Sequence, residues 1–335
     1  MIGDYAFRDC TGLTNIDIPN SVDSICGEAF SGCTGLRNLN IEDGDEIMGI
    51  EASSFEGCPV ERLYLGRNLQ YYDIPSFPYD RSSPFRNMER LTNITVGNLV
   101  TEISPDAFYN LTGITSVIIG KSVTTIREYS FNGCTNLKEL ALEDSEEKLK
   151  VSNGAFWNCP IERLYLGRNL TCIESSGTSP YNLTTLADVT IGGLVADVTA
   201  IDWTKNENLT SIKSLAAAPP TSERFTNPQY MNVKVSVPFG SLSSYKEDIV
   251  WRNFWNLQED EGTGVNHVEA NERQSIKTEN GHIIVENAQG HIRVYDMAGH
   301  LVKSTQTDGG RVEISAPQHG MYIVKVGGKS VKVTL

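Results

Sequence analysis

The sequence predicts a mainly β protein with short helical turns, in which a solenoid of stacked coils is followed by a small β-sandwich. Residues 58–69, CPVERLYLGRNL, recur with one Val→Ile change as residues 159–170. Shorter, less exact repeats of the same pattern lie between the two copies, and such internal repetition is typical of stacked structural units. The last seventy residues instead show short alternating runs separated by glycine turns, which favours a β-sandwich.

The repeated unit reads Phe-x-x-Cys-x-x-Leu-x-x-Leu-x-Leu. Its end alternates as a half-buried strand does, a β-branched run such as Ser122–Ile126 predicts a second short strand, and Ala-Phe-x-x-Cys predicts a single helical turn. The first leucine-type position falls at nine places: Leu13, Leu36, Val60, Leu91, Ile114, Leu137, Ile161, Leu186 and Leu209.

Aromatic and cysteine positions recur in the same register and predict the core. We expect stacked rings from Phe7, Phe30, Phe55, Phe85, Phe108, Phe131 and Phe156, with Trp203 in the last unit. Cys10, Cys33, Cys58, Cys134 and Cys159 share one position, where Met88, Leu111 and Asn206 replace them in other units. An apolar substitute favours buried, reduced thiols, although coils about 4.8 Å apart would also permit bridges between cysteines.

These motifs resemble the BspA-like leucine-rich repeats over about residues 2–215. The resemblance implies a right-handed leucine-rich-repeat solenoid that mediates adhesion to host, matrix or bacterial proteins. Residues 237–254 resemble a capping segment, in which Ser241 would N-cap a helix. Trp251, Phe254 and Trp255 would cover the open end of the core.

We therefore assign residues 1–258 to the solenoid with a capping segment at about 216–258, residues 259–266 to a linker, and residues 267–335 to the β-sandwich. Runs such as Ile292–Val302 and Gly320–Val326 resemble the sorting domain of proteins exported through the Por (type IX) system. That resemblance implies export across the outer membrane of a Gram-negative bacterium, with residues 267–335 acting as the export signal.

Composition excludes several functions. The formal net charge of −14 disfavours nucleic acid as a partner. No apolar run approaches the roughly 18 residues of a membrane-spanning helix. The sequence opens inside a repeat without a secretory signal, so we expect further coils to precede Met1 in the natural protein.

Catalysis and metal binding find little support in the repeats. Residues 1–262 contain no histidine, and no Cys-x-x-Cys pair occurs. The acidic clusters 42–46 and 143–147 lack a full calcium-loop pattern and are expected to be solvated loops. We predict no enzymatic activity, no cofactor and no metal site.

Outward-facing positions on the strands are the first candidate binding site. Arg62 with Tyr64, and Arg163 with Tyr165, would face outward four coils apart, about 19 Å from each other. Tyrosine and arginine dominate binding hot spots, but tyrosine is also a good strand former on an exposed sheet. Both interpretations remain open.

The second candidate is an aromatic loop in the one long unit, whose rings are Tyr71, Tyr72, Phe77 and Tyr79. These rings would either bind a ligand or seal an irregular coil. Together with these surfaces, the two family resemblances imply an exported or cell-surface binding protein with a protein partner, either a host matrix protein or a bacterial surface protein. The alternative is a carbohydrate-binding protein that uses the loop at residues 71–85.

Overall fold

The computed structural model describes residues 1–72, 83–85, 88–172, 183–260, 275–279, 282–286, 289–296, 301–308, 310–315, 320–326 and 329–335. The chain divides into two compact units, Met1–Asp260 and Glu261–Leu335. Each unit has a hydrophobic core of its own.

The first unit is built around a long sheet of eleven parallel strands that follow one another in chain order. Its strands are Asn15–Ile18, Asn38–Ile41, Arg62–Leu65, Asn93–Val96, Ser116–Ile119, Glu139–Leu142, Arg163–Leu166, Asp188–Ile191, Ser211–Ser214, Lys234–Val237 and Asn256–Glu259. The first nine strands come from the nine predicted units, which confirms the repeat register. The last two belong to the cap, residues 216–258, where the sequence pattern had indicated no strand.

A second layer of short parallel strands lies on the other side of the core. One sheet contains Ser24–Ile25, Met48–Glu51 and Leu69–Tyr72; the other contains Glu102–Ile103, Thr125–Ile126, Leu149–Val151 and Leu170–Cys172. Side chains of both layers, such as Leu63 and Ile50, pack into one buried cluster. The fold is therefore the predicted solenoid.

The predicted helical turns form as tight turns rather than continuing as helix. In the second coil the amides of Ser31 and Cys33 each bond the carbonyl three residues earlier. In most described units the residues two before and two after the phenylalanine adopt left-handed backbone, as Glu28 and Gly32 do with φ of 53° and 75°. A left-handed residue cannot propagate a right-handed helix, so each turn ends after one bend.

The ring and cysteine ladders are confirmed with one exception at the first coil. Successive rings stack at centroid distances of 5.1–5.3 Å from Phe7 to Phe55 and from Phe85 to Phe156. Cys33, Cys58, Cys134 and Cys159 are free and buried, and each thiol donates to the carbonyl of the preceding coil's phenylalanine. Cys10 is exposed, contrary to expectation, because no described coil precedes it to cover it.

Within the described residues, helices occur only in the cap and its approach. The α-helices are Asn227–Asn232 and Leu242–Glu247, and the 3₁₀ turns are Trp203–Lys205 and Trp251–Asn253. Helix Leu242–Glu247 follows Ser241 as predicted, but the Ser241 side chain makes no capping bond. The Glu259 carboxylate takes that role, accepting from the amides of Gly240 and Leu242 at 2.9 and 3.1 Å.

The predicted aromatic cover of the core end is only partly right. Trp251 and Phe254 are buried, whereas Trp255 is 74% exposed. Trp255 lies in the turn between Phe254 and strand Asn256–Glu259, where its ring stays on the solvent side of the cap.

The second unit consists of two antiparallel sheets that share one core. Three strands, Ser275–Glu279, His282–Glu286 and Arg311–Ser315, form one sheet; four strands, Gln289–Tyr295, Leu301–Asp308, Met321–Val326 and Lys329–Thr334, form the other. Six of these runs match predicted strands. Ser275–Glu279 was missed because its alternation is weak and polar.

Candidate functional site: the exposed face of the long sheet

The exposed face of the long sheet carries the predicted Arg/Tyr pairs. Arg62 and Tyr64 lie on strand Arg62–Leu65, and Arg163 and Tyr165 lie on strand Arg163–Leu166. Alternation points the leucines of both strands into the core and these side chains outward. Arg163 is exposed, while the other three are half-buried, because neighbouring strands present side chains at the same register positions.

Each tyrosine is held by an acidic residue of the preceding coil. The Tyr64 hydroxyl donates to Asp43 Oδ1 at 2.8 Å, and the Tyr165 hydroxyl donates to Asp144 Oδ1 at 2.8 Å. Burial, followed by the carboxylate neighbour, raises the pKa of both phenols above the ordinary value. The two rings are therefore neutral hydrogen-bond donors fixed in place on the sheet.

The acidic clusters are consequently more than solvated loops. Glu143 is only 7% exposed, and its carboxylate accepts from the amide of Lys121 at 3.0 Å. Glu42 at the equivalent position accepts from the amide of Asn20. The expectation of a solvated loop was wrong for Glu143, since a carboxylate that accepts from a backbone amide tolerates burial.

The two arginines also contact the preceding coil, with different partners. Arg62 Nε donates to Asn38 Oδ1 at 2.6 Å, whereas the Arg163 guanidinium pairs with the Glu139 carboxylate. The hydrogen bond to Glu139 raises the pKa of Arg163. The two pairs thus have the same shape but a different local charge. The surroundings of Arg62 are more cationic, because its partner Asn38 is neutral whereas the partner of Arg163 is a carboxylate.

A glycine in the following coil gives each tyrosine room. A Cβ on Gly97 would lie 2.6 Å from the Tyr64 hydroxyl, and a Cβ on Gly192 would lie 2.7 Å from Asp144 Oδ1. Both glycines directly follow a strand of the long sheet. Glycine also follows other strands of this sheet, as Gly120 does, so glycine alone does not mark the Tyr–Asp contacts in the sequence.

Arg67 and Arg168, in the repeated Gly-Arg-Asn, were overlooked by the sequence analysis. Both are buried, at 1% and 0% exposure. Arg168 donates from Nη1 to the carbonyls of Lys121 and Val123, and from Nη2 to that of Gly120, at 2.7–3.0 Å. Its Nε donates to the carbonyl of Glu143 at 2.9 Å.

Arg67 makes the equivalent contacts. Its guanidinium donates to the carbonyls of Asn20, Val22 and Pro19, which lie two coils before its own coil. Its Nε, unlike that of Arg168, has no hydrogen-bond partner. We call the two arginines the clasps, because each ties its own coil to main-chain carbonyls two coils earlier. The repeated segment therefore mainly stabilises the fold, and the side chains that it presents on the exposed face are the Arg/Tyr pair.

The aromatic loop falls mostly outside the described residues. Phe77 and Tyr79 are not among them, and of Tyr72 only the backbone, in strand Leu69–Tyr72, is described. Tyr71 is half-buried and packs against the solenoid core, and burial raises the pKa of its phenol. For Tyr71 the sealing interpretation is the better supported one.

One further cluster was not foreseen. Donor atoms of Asp4, Cys26 and Glu51 lie within 4.8 Å of one another. Burial, then the two carboxylates, raises the pKa of the Cys26 thiol, so it stays protonated at neutral pH. The cluster offers three donor atoms, fewer than the four protein ligands of a structural zinc site.

Comparison with known families agrees with the repeat register. Six copies of the BspA type leucine rich repeat region match residues 1–83 and 76–184, which is more than half of the chain. The chain belongs to this family. A search of curated proteins found no match.

Solved structures with similar coordinates are leucine-rich-repeat proteins at low identity. They include an internalin from Listeria monocytogenes (16% identity, 69% of this chain, 62% of that chain, TM-score 0.38) and a leucine-rich repeat protein from Bacteroides ovatus (14%, 77%, 78%, 0.30). A third is the pneumococcal vaccine antigen PcpA (17%, 76%, 68%, 0.36). This BspA-type chain thus spans less than two thirds of the internalin.

Among the described residues no helix is long and apolar enough to cross a membrane. The exposed face instead offers fixed phenol donors, guanidinium groups and carboxylate acceptors, spread over strands four coils apart. Such groups suit recognition of a surface rather than conversion of a small substrate.

Proposed function

We propose that this BspA-type protein is an exported or cell-surface, non-enzymatic binding protein whose long sheet binds a protein partner through its exposed face. Membership of the family and the display of two Arg/Tyr pairs support this role. The partner would be a host matrix protein or a bacterial surface protein.

The fixed geometry of the two pairs is the observation that carries the proposal. Tyr64 and Tyr165 are half-exposed rings whose hydroxyls are already bonded, at 2.8 Å in both copies. A side chain ordered before binding loses little rotamer freedom on association, which favours affinity. Arg62 and Arg163 add guanidinium groups beside each ring, a combination common at hot spots.

The experiment is a pull-down with the full chain against matrix and bacterial surface extracts, followed by affinity measurement on each enriched protein. Replacing Tyr64 and Tyr165 together by alanine is expected to weaken partner binding about tenfold or more. Tyr→Phe at both sites keeps each ring but removes the hydroxyl bond that orders it, so it is expected to weaken binding less than the alanine variant does. Unchanged affinity in the double alanine variant would show that Tyr64 and Tyr165 are not part of the binding site.

The control is the double variant Asn93→Ala with Thr95→Ala. These residues occupy the same register as Arg62 and Tyr64 on the next strand, but carry no aromatic ring. They are expected to leave binding unchanged. Thermal unfolding of every variant separates lost binding from lost folding.

We further propose that the second unit directs export through the type IX system of a Gram-negative bacterium. Its strand–turn sequence supports this, notably residues 292–302 and 320–326. Deleting residues 267–335 from the natural protein is expected to leave it in the periplasm, measured by cell fractionation. Normal export of the truncated protein would overturn the assignment.

A further inference from the structure

The cap carries an apolar patch that the aromatic core does not use. Met231, Ile249 and Trp255 are 45%, 68% and 74% exposed. All three line one cavity of about 610 Å³, within the range of ligand-sized pockets. Exposed apolar groups gathered around a concavity mark interaction sites more often than scattered ones do.

Two arginines make this cavity cationic. Arg224 and Arg252 line it and are exposed. Among the described residues neither guanidinium has an ion-pair or hydrogen-bond partner, whereas Arg37, Arg127 and Arg163 all pair with glutamates. In a chain of net charge −14, two exposed arginines without an acidic partner among the described residues favour an anionic occupant beside the apolar patch.

The wall of the cavity at Phe225 is supported by the aromatic core. Phe225 lines the cavity, is buried, and meets the buried Phe254 edge-to-face at 4.8 Å. Its other neighbour, Trp251, donates from Nε1 to the carbonyl of Pro220 at 2.7 Å. The rim is fixed by main-chain bonds as well, since the Trp255 amide donates to the carbonyl of Tyr230 at 2.9 Å. An occupant would meet a surface that is already ordered.

We propose that this cavity binds an acidic segment of a partner protein, which places one apolar side chain beside Trp255 and its carboxylates on Arg224 and Arg252. Arginine matches carboxylate in a planar, two-bond geometry. Tryptophan, methionine and arginine are enriched at protein interfaces.

This site does not depend on the exposed face of the long sheet. The cavity residues belong to the cap, and none of them is part of an Arg/Tyr pair. Loss of either site is therefore separable by mutation.

The test is fluorescence anisotropy with the full chain and labelled peptides at low salt. The probe contains Asp-Glu-Leu-Asp-Glu; its controls contain Asp-Glu-Ser-Asp-Glu and Lys-Lys-Leu-Lys-Lys. The leucine probe is expected to bind about tenfold tighter than the serine probe, and the lysine probe not at all. Trp255→Ser, and Arg224→Glu with Arg252→Glu, should each weaken the leucine probe at least about tenfold.

Matched controls use exposed residues elsewhere in the first unit. Phe239→Ser removes an apolar side chain that is 79% exposed outside the cavity, and Arg90→Glu with Lys150→Glu makes the same change in charge. Both are expected to leave binding unchanged. Equal binding of the leucine and serine probes, or equal weakening by these controls, would overturn the proposal. So would binding of an oligouronate that Trp255→Ser abolishes when the peptides do not bind, since that outcome assigns the cavity to an acidic glycan.

Discussion

Arg168 shows how one side chain can hold a repeat protein together. A buried guanidinium needs an acceptor for its N–H groups, and main-chain carbonyls of the two preceding coils supply four of them. Burial lowers its pKa from 12.5 to about 10, so the group remains a cation at neutral pH. The sequence could not predict this, because an arginine after a strand is usually solvated.

Arg168→Met should therefore lower the free energy of unfolding by about 3 kcal/mol, because it removes four hydrogen bonds to a charged group. Arg67→Met should cost less, since only three bonds are lost there. Urea unfolding measures both. Arg163→Met, which breaks one exposed ion pair, is the control and should change stability by no more than about 1 kcal/mol. An equal loss of unfolding free energy in the Arg163 and Arg168 variants would contradict the stabilising role assigned to the clasps.

The buried cysteines should not react with thiol reagents while the protein is folded. Burial raises the pKa of the Cys58 thiol from 9.0 to about 12, and its S–H donates to the Phe30 carbonyl at 3.0 Å. At pH 8 a thiol reagent should label exposed Cys10 and leave Cys58 unlabelled until the chain is unfolded, as read by mass spectrometry.

The same shift predicts a pH dependence of stability. A folded-state pKa raised to about 12 stabilises the fold fully below the unfolded value of 9.0, and this contribution falls as pH rises from 9 toward 12. Cys58→Ala should flatten that part of the stability curve. An identical slope in the variant would show that the thiol does not contribute.

At the scale of the element, close approach of successive coils is set at strand ends. Gly66 and Gly167 both follow a strand of the long sheet, where the previous coil's backbone comes very near. A Cβ on Gly167 would lie 2.4 Å from the Leu142 carbonyl oxygen and 2.5 Å from the Asp144 amide nitrogen. Backbone cannot move aside as a flexible side chain can.

Gly167→Ala should thus destabilise the solenoid by about 2–3 kcal/mol through overpacking, measured by urea unfolding. Gly12→Ala is the matched control, because a Cβ there meets nothing within 4 Å. That substitution should be close to neutral. A neutral result at Gly167 as well would mean that the coils can separate without cost.

At the scale of the whole molecule, the chain consists of two units that bury separate cores. Phe131 belongs to the solenoid cluster and Ile283 to the sandwich cluster, and both are fully buried. Because neither cluster contains residues of the other unit, the units should unfold in separate transitions.

Calorimetry of the full chain should resolve two transitions. Phe131→Ala, at a cost of about 3–5 kcal/mol, should lower the melting temperature of the larger one. Ile283→Ala, at about 2–5 kcal/mol, should lower only the smaller one. A single transition lowered by both substitutions would contradict the independence of the units.

The sequence by itself determined the solenoid, because periodic apolar positions such as Leu137 and Phe131 admit only stacked coils with a shared core. It also located the Arg/Tyr pairs, since strand alternation decides which side chains face outward. The strands of the cap were missed, because their pattern departs from the repeat.

Only the tertiary structure decided what each polar group does. Arg168 and Arg163 lie five residues apart in the same repeated segment, yet one is buried against carbonyls and the other is exposed. Trp255 and Trp251 differ in the same way within the cap. Their partners come from distant parts of the chain, so their environments depend on how coils stack, which no local pattern encodes.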